Sequence, residues 1–143
     1  MSPDTDPGER FVFDACALIA YFNDEVGAEV VEDLLERARQ DRVQIYVAAV
    51  NVYELFYDCL KRDAATAQQL VDDVYGLPLT VVEALDRALM QHAGGFKTTY
   101  RVSLADSVAL GLAQQHNAHL VSSDHHEFDP IDHDGKARFW WIR

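Results

Sequence analysis

The chain has 143 residues, 49% of them apolar, which is near the commonest domain size and enough for one domain with a real core. Twenty-four acids against 12 Lys and Arg give a formal charge of -12, which argues against a basic nucleic-acid coat and against attraction to an anionic membrane surface. Two cysteines are too few for a disulfide framework, the polar start Met1 to Glu9 does not read as a signal peptide, and no apolar stretch approaches bilayer-spanning length, so a cytoplasmic protein with buried free thiols is expected.

Residues 1–9, with Pro3, Pro7 and Gly8, read as a loose tail, and the domain is expected over 10–143. Phe11–Phe13 is a short buried strand, followed by Asp14 and a short apolar helix, Cys16–Phe22. Over Glu25–Gln40 the residues Val30, Val31, Leu34, Leu35 and Ala38 recur at helical spacing. Val43–Val47 is a second strand, and Ala49–Lys61 a helix with the stripe Val52, Leu55, Phe56, Cys59 and Leu60. Ala64–Tyr75 is a helix stopped by Gly76 and Pro78. Leu79–Val82 is a third strand, and Glu83–His92 a helix ended by Gly94-Gly95. Leu104–Gln115 is a helix, Ala118–Ser122 a strand, and Phe139–Ile142 a last strand. Strands alternating with helices predict an α/β domain whose parallel sheet is sandwiched by helices.

Four acids follow strands or open helices: Asp14, Glu54, Asp106 and Asp124. Taken alone, Asp14 and Asp124 each read as an ordinary helix N-cap. Ser103-Leu-Ala-Asp106 resembles a capping box, yet Asp106 shares a helical face with Ala109, Leu110 and Ala113, where an unpaired acid is costly. Glu54 shares a narrow polar sector with Asn51, Asp58 and Lys61, as an exposed Glu would. Ligands of open parallel sheets bind beyond the carboxyl ends of the strands. Acids gathered there without matching bases call for a hard divalent cation, which makes a metal-dependent phosphoryl-transfer site the leading expectation. The segment 124–134 holds five acids and three histidines but no regular metal-binding spacing, so it reads as a solvated loop, with Asp129 kept as a fifth candidate ligand. His92, His116 and His119 read as structural or surface residues.

The runs Phe11-Val-Phe-Asp-Ala-Cys-Ala-Leu-Ile-Ala20, Val50-Asn-Val-Tyr-Glu-Leu55, Arg101-Val-Ser-Leu-Ala-Asp106 and Leu120-Val-Ser-Ser-Asp124 resemble those of the PIN-domain nucleases, most of all the VapC-type toxins of bacterial toxin–antitoxin pairs. The likeness spans nearly the whole chain from Phe11. It implies a single PIN-like domain and an endoribonuclease that uses Mg²⁺ or Mn²⁺. Asp14, Glu54, Asp106 and Asp124 would be both the catalytic and the metal-holding acids, and Ser122 would take the hydroxyl position before the last acid. The chain departs from many relatives at Ala15-Cys16, where hydroxyl residues often follow the first acid. The resemblance further implies an RNA substrate, a small antitoxin partner and a homodimer. Water activated by the metal would leave a 5′-phosphate and a 3′-hydroxyl. Lys97, Arg101 and Lys136 are the candidate backbone contacts. A receiver-like phosphoacceptor domain would need a paired acid beside Asp14 and a Lys after a late strand, and both are missing. A catalytically silent PIN-fold binding module is the remaining alternative.

Overall fold

The computed structural model describes residues 8–143, so residues 1–7 of the expected tail lie outside the described residues. Five strands, β1 (Arg10–Phe13), β2 (Gln44–Ala48), β3 (Thr80–Val82), β4 (His119–Ser122) and β5 (Arg138–Trp141), alternate with seven helices among these residues. The helices are α1 (Ala15–Phe22), α2 (Ala28–Arg39), α3 (Ala49–Leu60), α4 (Ala64–Tyr75), α5 (Arg87–Thr99), α6 (Leu104–Gln115) and α7 (His125–His133). Every strand pairing is parallel, in the order β3-β2-β1-β4-β5.

Side chains alternate across the sheet, as extended backbone dictates. Phe11, Phe13 and Val121 pack on one face with Leu18 of α1 and Leu34 and Leu35 of α2. Val12 and Leu120 pack on the other with Leu110 of α6 and Phe128 of α7. Each such side chain, fully buried, contributes about 1.5–3 kcal/mol. Helices α5 and α6 approach closely at Gly111, where an added Cβ would lie 2.6 Å from the Ala93 nitrogen.

Two segments depart most from expectation. The helix expected over Glu83–His92 begins at Arg87, after Asp86 accepts the Leu89 N–H at 2.9 Å, and continues through Gly94-Gly95 to Thr99. Two helical glycines cost about 2 kcal/mol together. Burial of Phe96 and Ala93 on one side of the helix offsets that cost. The segment expected to be a solvated loop is α7. Asp124 caps it, and Phe128 and Ile131, both wholly buried, anchor it to the core despite Pro130.

The strand order reverses at β1: β2 and β3 extend one way, β4 and β5 the other. The crevice beyond the carboxyl ends of β1 and β4 is therefore the switch point where parallel sheets bind ligands.

Candidate functional site

Asp14 stands at that switch point. Phe13 pairs with Val121, so the next step of the register sets Asp14 beside Ser122. Asp14 is only 1% exposed. Its Oδ1 accepts the Ala17 N–H at 2.9 Å, capping α1, and its Oδ2 accepts the Ser122 hydroxyl. Ser122 Oγ in turn accepts the Asp124 N–H at 3.0 Å, which ties the turn after β4 to the first acid. Burial pushes the Asp14 carboxyl up to about 7, against the pull of its two hydrogen bonds. The charges of Asp106 and Asp124 push it further in the same direction.

Asp106 is half-buried in the first turn of α6, where Ser103 Oγ caps the helix by accepting the Asp106 N–H at 3.1 Å. Burial lifts its carboxyl to about 7; the Ser103 hydroxyl opposes this, and the charges of Glu54, Asp124 and Glu127 add to it. Glu54, on α3, is also raised by burial and partly relieved by a hydrogen bond from Asn51. That bond runs from Asn51 Nδ2 to Glu54 Oε1 at 3.1 Å. Asn51 is wholly buried, and its Oδ1 has no hydrogen-bond partner. Within the polar sector of α3, Asn51 is thus a buried amide holding a half-buried Glu54, while Lys61 beyond the helix end is exposed.

Asp124 caps α7 by accepting the Glu127 N–H at 3.1 Å. The charges of Asp106 and Asp124 act on Asp14, and those of Glu54 and Asp124 act on Asp106. Sequence reasoning missed Asn51 and Glu127; their spacing to Glu54 and Asp124, three residues in each case, is the one signal that pointed to them. Asp129 is exposed and engages His125 Nδ1 at 2.8 Å, and no described interaction joins it to the other acids. Lys97 is bonded to the Val102 carbonyl at 2.6 Å. Lys136 lies before β5, at the amino end of that strand, on a cleft of about 320 Å³ shared with His92 and Gln114.

Among the described residues no three His, Cys, Asp or Glu side chains form a ready-made metal cage. Both Asp14 oxygens and one of Asp124 accept hydrogen bonds. The donor set nevertheless suits a hard cation, since it is made of carboxylate oxygens whose ionisation burial resists. The Cys16 thiol is pushed up to about 12 by burial and by the acids around it, so it supplies no thiolate for a softer metal. Mg²⁺ in particular needs few protein carboxylates and keeps several waters.

The PIN-domain family model matches residues 11–133. Ribonuclease VapC42 of Mycobacterium tuberculosis is 30% identical over 111 residues, covering 72% of this chain and 82% of that protein. The fold is shared with VapBC2 from Rickettsia felis bound to a promoter DNA fragment, at TM-score 0.73 and 16% identity over 92% of this chain and 98% of that one. It is shared too with DNA-bound VapBC from Salmonella typhimurium, at TM-score 0.70 and 18% identity over 94% and 99%. With a model match over most of its length and a relative 30% identical over 82% of that protein, the chain belongs to the PIN-domain family.

Proposed function

We propose that this protein is an endoribonuclease dependent on Mg²⁺ or Mn²⁺, and the toxin of a toxin–antitoxin pair. The observation that carries the reading is the buried Asp14 at the switch point, under the charges of Asp106 and Asp124. The likeness to proteins named VapC ribonuclease supports the substrate, and the likeness to VapBC assemblies supports a small antitoxin partner. A chain of charge -12 suits a partner segment rich in Arg or Lys. Among the described residues no helix is long and apolar enough to cross a membrane.

Asp14, Asp106 and Asp124 would hold the cation, which when bound neutralises phosphate charge and lowers the pKa of water. The chain's own residues set the rest. Ser122 and Ala17 fix the orientation of the Asp14 carboxylate. Asn51 engages Glu54 Oε1 and leaves Oε2 to take a proton from the attacking water. Burial keeps Glu54 nearer the protonation range such a role needs.

The test is incubation of the purified protein with pooled cellular RNA, with Mg²⁺ and with excess EDTA, followed by end-group analysis. Cleavage with metal only, leaving 5′-phosphates, is expected. Undiminished cleavage in EDTA would overturn the metal requirement, and no cleavage under either condition would leave the silent binding module.

A further inference from the structure

We propose that His125 and Trp141 form a preformed stacking platform for one nucleobase of single-stranded RNA, beside the phosphate to be cut; this rests on the nuclease reading above. The need for such a platform follows from charge. An acidic protein must hold an anionic strand with few cations to spare near its acids. Lys97 is spent on a carbonyl and Lys136 lies at the amino end of β5, which leaves the exposed Arg101 of the three candidate contacts. Arg143 is engaged with the Val26 carbonyl and with Glu25. Base stacking supplies affinity that does not depend on net charge.

The sheet register puts the platform beside the acids. Ser122 pairs with Trp141, and the Phe13–Val121 pair sets Asp14 beside Ser122. In-register neighbours of a parallel sheet point to one side, so Asp14, Ser122 and Trp141 form a lateral row across β1, β4 and β5. Strands lie about 4.8 Å apart, so the Trp141 backbone stands roughly 10 Å from that of Asp14. Such a span suits a base next to a phosphate held at the acids.

The platform is already built. The His125 ring lies on Trp141 with centroids 3.8 Å apart and planes 19° from parallel. Trp141 stacks in turn on Phe139, at 4.9 Å and 11°. His125 is fastened at both nitrogens, Nδ1 to Asp129 at 2.8 Å and Nε2 to the Arg143 carbonyl at 2.9 Å. Trp141 Nε1 donates to Asp132 at 3.3 Å. One face of the His125 ring rests on Trp141, and the residue is nevertheless exposed. A ring fixed this way loses little freedom when a base covers it.

The experiment uses a fluorescently labelled single-stranded oligoribonucleotide and an abasic strand with the same number of phosphates. Binding anisotropy in EDTA, and kcat and KM in Mg²⁺, are measured for wild type, His125→Ala, Trp141→Ala and His125→Phe. His125→Ala should weaken RNA binding and raise KM roughly tenfold or more, the change expected for one lost stacked base. Its kcat should hold within about twofold, because binding rather than chemistry is removed. His125→Phe should restore binding, and the abasic strand should bind wild type and His125→Ala equally. The platform is overturned if His125→Ala, melting as wild type does, binds RNA with undiminished affinity. It is overturned equally if Phe fails to restore binding, or if the abasic strand loses as much affinity as RNA. Should Trp141→Ala fail to fold, the two His125 variants decide the matter alone. A wild type that binds RNA without cutting it defeats the nuclease reading; a cutting wild type matched by His125→Ala defeats only the platform.

Discussion

Replacing Asp14 by Asn should stabilise the metal-free protein at alkaline pH while destroying its activity. The carboxyl sits near its ordinary value, 3.8, in the unfolded chain and is pushed up to about 7 in the fold, chiefly by burial. A folded-state pKa above the unfolded one means that the native state binds the proton more tightly. The resulting stability is full below about pH 3.8 and is lost as pH rises to about 7. At 1.36 kcal/mol per pH unit, the loss is about 4 kcal/mol. Asp14 is 1% exposed, so solvent screens little of this. Asn carries no charge, still accepts from the Ala17 N–H as an N-cap, and can donate to Ser122 Oγ. In a domain of this size the gain corresponds to a melting shift on the order of 10 °C. Thermal melts in EDTA at pH 4, 6 and 8 read it directly. Wild type and mutant should nearly coincide at pH 4 and separate as pH rises, the mutant melting higher. Added Mg²⁺ should narrow the gap at pH 8 by stabilising ionised Asp14 in the wild type. A gap that does not change with pH, or a mutant less stable at pH 8, would refute the reasoning.

Asp106→Asn should reduce RNA cleavage at least about a hundredfold without unfolding the protein, because it removes a charge from the cluster; turnover assays beside circular dichroism check this. A mutant that still cuts RNA would reduce Asp106 to a helix residue. Asn51→Ala should lower kcat roughly ten- to a hundredfold with KM nearly unchanged, since it frees Glu54 from the amide that orients it. Gly111→Ala should cost about 1–3 kcal/mol in urea unfolding, because its Cβ would press on the Ala93 backbone.

Much of this architecture could be read from local pattern. The apolar runs that end at Phe13 and Ser122 became adjacent strands, and that is why two acids far apart in sequence share one crevice. Patterning failed where one or two buried contacts outvoted composition. Phe128 and Ile131 pull a segment full of acids, with a proline, into a helix. Phe96 carries α5 across two glycines that usually mark a stop. The wheel of α3 showed Asn51 as polar but not which neighbour covers it, so its wholly buried amide became visible only in three dimensions. The sequence does not show where Lys136 falls along β5: it precedes the strand, while Trp141 at the strand's other end pairs with Ser122.

The Ser122–Asp14 hydrogen bond joins residues 108 positions apart. During synthesis, at about 5–20 residues per second, several seconds to some twenty seconds separate the making of the two partners. A nascent chain carrying β1, β2 and β3 can pair those strands, yet it has nothing to place against the other edge of β1. Asp14 then faces solvent where β4 will later lie, without the Ser122 hydroxyl or the Asp124 turn. The ribosome making this protein therefore works beside a partial chain in which the surroundings of Asp14 are not yet assembled.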